Sequence, residues 1–511
     1  MDDGFVLGKQ ELTIEKLVCL GRSLKPKLKI DAKSLQNLIM YRKFVIKGLE
    51  SSKTIYGVNT GFGYLSQVKI PAEKLQQLQL NLIRSHACGV GNDAPLEVVR
   101  SLLILRAHTF LLGHSGVSQE CLNTIFAFLE HDLLPRIPMK GSVGASGDLA
   151  PLAHLALGLI GEGEIYYHGE KFPAKQALKL AGIEPLKPAA KEGLSLINGT
   201  HFMTSLGAYA MEQANIIAKS ADIIATMSLD AIRGTTAAFD LRIQQARPHP
   251  GQELVARNIL MLLEGDDQIK ESHKGCDKVQ DPYSFRCIPQ VHGACRDTLE
   301  FVRNKVNIEL NSVTDNPLIF EDGDLISGGN FHGQPIAMAM DFLAIAVAEF
   351  GSISERRIEK ITNPNLSGLP AFVTEEVGLN SGYMIPHVVS AALASENKIL
   401  CHPASIDSIP TSADKEDHVS MGPIAARKAL EINENVASIL AIELLASCQA
   451  IDLLKPLKPS PLLQVVYNSV RSQSPYMSND RSLREDIEAT TKMIQSGSLL
   501  ELVADEGLKL N

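Results

Sequence analysis

Three long stretches with helical spacing limit what this chain can fold into. His201–Asp240 holds forty residues without a proline. Within it Ile216 and Ile217, Ala221, Ile223 and Ile224, Met227 and Ala231 track one helical stripe. A second run covers Gln334–Ile361 and a third Pro423–Leu454. Stripes this long bury against each other, so the pattern predicts a mainly α protein built on a long up-down helical bundle. Composition agrees. Hydrophobic residues make up 45% of 511 residues, yet aromatics are only 5% and Trp is absent. A core of Leu, Ile, Ala, Val and Met favours helix-on-helix packing over a sandwich. The most apolar windows, 336–350 and 439–454, carry Asp341 and Glu349, or Glu443 and Asp452. They read as core helices rather than membrane spans.

Ahead of these runs the character differs. Residues 1–200 mix short helical segments with Gly-rich turns and read as a smaller, mixed N-terminal domain. Residues 201–475 form the central bundle and 476–511 a short helical tail, with a Pro- and Ser-rich joint over 455–480. Leu75, Leu78 and Leu82 predict a helix over Ala72–Ala87. His86, four residues after Leu82, lies on the same inward face. A lone inward His is most often a satisfied core residue.

The net charge of −9 and the pI near 5.9 exclude the basic footprint of a nucleic-acid binder. Met1-Asp2-Asp3-Gly4 is acidic and lacks the basic-then-apolar pattern of an export signal, which points to the cytoplasm. The eight cysteines form no C-x-x-C pair, and no HExxH occurs. Reduced thiols and no metal are expected.

Gly141-Ser142-Val143-Gly144-Ala145-Ser146-Gly147-Asp148-Leu149-Ala150-Pro151 packs three glycines, two serines and an alanine into seven residues, then opens an apolar helix. On its own it reads as a Gly-rich turn into a helix capped by Ser or Asp. It is not a hydrolase nucleophile elbow, because Gly147 follows Ser146 directly. Glycines flanking Ala145-Ser146 permit a very tight bend. In such a bend the Gly147 amide nitrogen can reach the Ala145 carbonyl carbon. Ring closure with two dehydrations would produce a methylidene-imidazolone, an electrophile that no side chain supplies.

This stretch resembles the prosthetic-group loop of the aromatic amino acid ammonia-lyases, in particular their histidine branch. Further segments match in family order, from Ile55-Tyr56-Gly57-Val58-Asn59-Thr60-Gly61-Phe62-Gly63 to Asp407–Gly422. Between them lie Ser85-His86-Ala87-Cys88-Gly89, Asn198-Gly199-Thr200, Val279–Cys287 and Gly328-Gly329-Asn330-Phe331-His332-Gly333. The resemblance covers nearly the whole chain. It implies a mainly helical homotetramer whose sites are shared between subunits, with L-histidine as substrate and trans-urocanate and ammonia as products. It also implies an imidazolone made from Ala145, Ser146 and Gly147, with no external cofactor, nucleic acid or membrane.

The roles it implies are specific. Tyr56 is the catalytic base, on a loop that closes over the site. Asn198 donates to the ring oxygen or to substrate. Tyr283 assists ring formation or proton transfer, and Gln280 orients its neighbours. Arg286 clamps the substrate carboxylate through its planar fork. Phe331 lines the pocket beside the electrophile. His86 occupies a substrate-selectivity position, which alone does not choose the substrate, because tyrosine-selective relatives can also carry His. Glu416 stands where relatives acting on Tyr or Phe have Gln, and a carboxylate can accept an imidazole N–H. Two alternatives stay open. One is a tyrosine or phenylalanine ammonia-lyase or aminomutase on the same scaffold. The other is a catalytically inactive helical scaffold.

Overall fold

The computed structural model describes residues 4–50, 59–61, 67–276 and 278–510. The chain is mainly α-helical, with a small mixed β/α region near its N-terminus. It divides into two compact units. The first comprises residues 1–212, 303–341 and 403–427; the second comprises 213–302, 342–402 and 428–511.

The long helices form where the spacing predicts them. They run over His201–Ala231, Gln334–Thr362 and Gly422–Leu453. Pro335 and Pro423 sit in first turns, where the missing N–H would have no intrahelical partner. The last two helices are long and apolar enough to span a bilayer, but 67% and 83% of their apolar windows are buried within the protein. The first helix stops nine residues before the predicted Asp240. Arg233 takes a left-handed φ of 52°. The Gly234 amide then donates to the Leu229 carbonyl at 2.8 Å, closing the end. A Cβ on Gly234 would lie 2.4 Å from the end of the Leu229 side chain, which would have to shift to admit it.

The predicted Pro/Ser joint holds a helix, Pro461–Gln473. Ser460 caps it by accepting from the Leu463 amide, and Pro461 occupies its first turn. A Pro just inside a Ser cap is a helix start, and the overall Pro and Ser content masked it.

In the first unit, helix Leu96–Leu112 is buried on nearly all sides. Helices Leu75–His86, Leu149–Leu159 and Glu192–Ile197 pack against one another. Their packing gathers three chain positions: the end that carries His86, the turn before Leu149 and the residue after Ile197. Antiparallel strands Val90–Asp93 and Pro138–Lys140 lead the chain into Gly141.

In the second unit, two buried polar clusters bind the helices together. Asp222 accepts from His292 at 2.8 Å, Arg296 at 2.6 Å and Asn258 at 2.9 Å. Glu443 accepts from Arg357, Ser228 and Ser354, and both members of the Arg357–Glu443 pair are fully buried. Removing one partner of such a pair strands the other charge. Glu443→Leu is therefore expected to destabilise the protein by about 3–5 kcal/mol, read from the urea unfolding midpoint.

Candidate active site

The bend at residues 144–147 is held from two sides within the first unit. Gly144 and Gly147 have φ of 68° and 73°, open to glycine without strain. A Cβ on Gly147 would lie 2.0 Å from the Gly199 carbonyl oxygen. This close approach lets the segment pair with 198–199. The Gly199 amide donates to the Ser146 carbonyl at 3.3 Å, and the Asp148 amide donates to the Gly199 carbonyl at 2.7 Å. On the other side the Met421 amide donates to the Val143 carbonyl at 2.8 Å, and Ser420 Oγ donates to the Gly144 carbonyl at 2.9 Å. Residues 420–422 close the last matching sequence block, but nothing in the sequence reveals them as a clamp.

Asp148 precedes helix Leu149–Leu159 but does not cap it. Its Oδ2 accepts from the Phe202 and Met203 amides at 2.8 and 2.9 Å, capping the helix His201–Ala231 instead. Full burial raises its pKa to about 7, against the pull of those two amides. An unfolded Asp releases its proton near 3.8. The stability this group contributes is thus complete below about pH 4 and fades as pH rises through 7. Every tenfold change in proton affinity between the unfolded and folded chain is worth roughly 1.4 kcal/mol. Between pH 4.5 and 7.5 the wild type should lose more urea stability than Asp148→Asn. Parallel losses would contradict this.

Ser146 lines a cavity of about 690 Å³ together with His86, Asn198, Asn316, Phe331 and Glu416. Ser146 Oγ donates to Glu416 Oε1 at 3.3 Å, and Thr411 Oγ1 donates to Glu416 Oε2 at 2.7 Å. Glu416 is thus half-buried and held in the cavity wall. Thr411 and Glu416 pair across a short turn in which Ser412, Ala413 and Asp414 are all left-handed, with φ of 51°, 52° and 64°. Each such non-glycine residue costs about 1–2 kcal/mol, a cost that structures tolerate mainly at functional sites.

His86 Nδ1 lies 2.8 Å from the Leu82 carbonyl. That bond places the proton on Nδ1, so in the neutral ring Nε2 is an acceptor. Burial holds the His86 pKa below its ordinary value, partly opposed by the Leu82 bond and by Glu416. Asn198 ends helix Glu192–Ile197 as its C-cap, not as the N-cap of the next helix. Its Nδ2 donates to the Asn316 carbonyl at 3.3 Å, and its buried Oδ1 has no partner among the described residues. Asn316, which no sequence motif singled out, also accepts from Ser327 Oγ and the Gly328 amide, on the approach to Phe331. Behind it the buried pair Lys191–Asp315 closes at 3.0 Å.

Tyr56 falls outside the described residues. Gln280, Tyr283 and Arg286 belong to the second unit, where Gln280 is exposed, Tyr283 is 72% exposed and the Arg286 guanidinium stacks 4.7 Å from the Tyr283 ring centroid.

The mainly helical chain thus presents a clamped Ala-Ser-Gly bend to a cavity, with a carboxylate on the serine hydroxyl. Residues 12–472 match the family described as aromatic amino acid lyase. The chain is 49% identical over 496 residues to the histidine ammonia-lyase of Alkaliphilus oremlandii, covering 97% of each chain. The crystal structure of histidine ammonia-lyase from Trypanosoma cruzi superposes with a TM-score of 0.91 at 44% identity, over 98% of this chain and 95% of that one. Tyrosine aminomutase from Streptomyces globisporus gives 0.93 at 37% identity, over 99% and 100%. The chain belongs to the aromatic amino acid lyase family.

Proposed function

We propose that this enzyme deaminates L-histidine to trans-urocanate and ammonia, using a methylidene-imidazolone formed from Ala145, Ser146 and Gly147. The placement of Glu416 carries the reading: its carboxylate is fixed at Ser146 Oγ, in a cavity that also holds His86. The residues present fit the group. Glycine is required at 147 by the 2.0 Å approach, Ser146 faces the cavity, and Asn198 Oδ1 is buried and unpartnered among the described residues. When formed, the group supplies an electrophile that turns the substrate's amino group into a better leaving group.

The chain's own residues supply the rest. Glu416 and His86 grip the imidazole, with Glu416 accepting its N–H. Asn198 spends one of its two Nδ2 hydrogens on the Asn316 carbonyl, so the other can donate to the ring oxygen or to substrate while Oδ1 accepts from the substrate's amino group. Phe331 packs against the substrate ring. Tyr56 removes the β-proton. Arg286 binds the carboxylate, with Gln280 and Tyr283 beside it. The latter three lie in the second unit. A homotetramer built on an up-down bundle, in which neighbouring subunits complete each site, brings them into play. The smaller Gly-rich N-terminal domain bears the imidazolone loop. All eight cysteines are free, which suits work in the cytoplasm.

The test is twofold. The purified chain should be two waters lighter than its sequence mass, and it should release urocanate from L-histidine in preference to deaminating Tyr or Phe. A β-amino acid product would instead support an aminomutase. An intact-mass measurement with no missing water would remove the reading.

A further inference from the structure

Arg106 lies in helix Leu96–Leu112 and is fully buried. Burial brings its pKa down to about 10. The carboxylates of Asp315 and Asp148 act on it only through space, and among the described residues no carboxylate bonds it. A buried cation without a bonded counter-charge is costly. Its Nη2 donates to the Leu196 carbonyl at 2.6 Å and to the Asn198 carbonyl at 2.8 Å. Its Nη1 lies 3.2 Å from His201 Nδ1, and His201 Nε2 lies 3.0 Å from Thr109 Oγ1. His201 is held neutral by its burial and by the neighbouring guanidinium. It therefore accepts from Arg106 and donates to Thr109.

The Asn198 carbonyl and the Gly199 amide are two ends of one peptide group. That amide donates to the Ser146 carbonyl at 3.3 Å. A cation on the carbonyl end of a peptide strengthens the donor at its other end. We propose that Arg106 is a positioning residue that acts through the Asn198–Gly199 peptide on the Ser146 carbonyl, and so drives the dehydration of Ser146. The proposal rests on the reading that Ala145-Ser146-Gly147 condenses.

The chemistry balances. Ring closure joins Gly147 N to the Ala145 carbonyl carbon. The Ala145 oxygen leaves as water with the amide protons of Gly147 and Ser146, leaving a C=N bond. The second water takes Ser146 Oγ with its proton and the Ser146 Cα hydrogen, leaving a C=C bond. Loss of the Cα hydrogen pushes charge onto the Ser146 carbonyl oxygen, where the Gly199 amide bonds. A donor preset at an oxygen that gains charge lowers the barrier.

Wild type, Arg106→Lys and Arg106→Gln are compared as chains from a timed synthesis, by intact mass and near-ultraviolet absorbance, with melting temperature as the folding control. Arg106→Gln should dehydrate roughly tenfold more slowly than wild type, by weakening and unseating the Gly199 donor, less than the roughly hundredfold that losing such a donor outright costs. Arg106→Lys, which keeps the charge but not the two-carbonyl fork, should fall between them. A folded Arg106→Gln that dehydrates at the wild-type rate overturns the proposal. If Arg106→Gln is insoluble, Arg106→Lys is judged against Thr109→Val, which leaves the cation in place. Lys slower than Val supports the relay, and equal rates overturn it. A wild type that loses no water would instead overturn the condensation itself.

Discussion

Ser146→Ala should fold, keep the mass its sequence dictates and form urocanate at least a thousandfold more slowly than wild type. The size of the effect follows from the chemistry. Alanine has no hydroxyl to lose, so no methylidene carbon can form. Expelling ammonia from an unactivated amino acid then lacks its electrophile, and covalent catalysis of this kind spans many decades in rate. The fold should tolerate the change. Among the described residues the one side-chain hydrogen bond of Ser146 is the 3.3 Å contact to Glu416, and the bend is held by bonds to backbone groups at 143, 144, 146 and 148. With ten Tyr and no Trp in the chain, the near-ultraviolet signal of an imidazolone would stand clear in wild type and vanish in the variant. Urocanate formation within tenfold of wild type would end the proposed mechanism.

The long helices were legible because period 3.6 and the absence of proline are local properties. Their starts were readable at Gln334 and Pro423. The end at Ala231 was not, since it depends on Arg233 adopting a left-handed turn. The Gly-rich bend was legible from its composition, whereas its clamps were not. Met421 and Ser420 reach residues 143 and 144 across more than 270 positions of sequence. Asp148 looked like the cap of its own helix, yet it caps another that begins more than fifty residues later. Arg106 and Asn316 carry no motif. Arg106 sits in an apolar helix, where its burial and its reach to two carbonyls exist only once the chain has folded. Sequence patterns name His86, Ser146, Asn198, Phe331 and Glu416, which face the cavity, and miss Asn316, which faces it too. The layer behind them is set by packing, and packing leaves no local signature.

Glu416→Gln should lower kcat/KM for L-histidine by roughly twofold to thirtyfold and affect aromatic substrates much less. Gln nearly matches Glu in shape, so the Thr411 hydroxyl and the turn at 412–414 can stay in place. What disappears is the charge. A hydrogen bond from an imidazole N–H to a carboxylate is worth about 1.5–3 kcal/mol, against about 1 kcal/mol for a neutral acceptor. A phenyl ring offers no N–H and loses nothing comparable, so the ratio of rates on histidine and on phenylalanine or tyrosine shifts toward the aromatic substrates. His86 also feels the change. Glu416 is the charge that favours its protonation, against the burial that opposes it. Without that charge His86 is neutral over a wider pH range, and its Nε2 stays available as the remaining acceptor for imidazole. The variant should therefore retain measurable histidine turnover instead of losing it altogether. Equal losses on histidine and on phenylalanine would mean that the carboxylate does not read the imidazole. The preference for histidine would then have to come from His86 and the shape of the cavity.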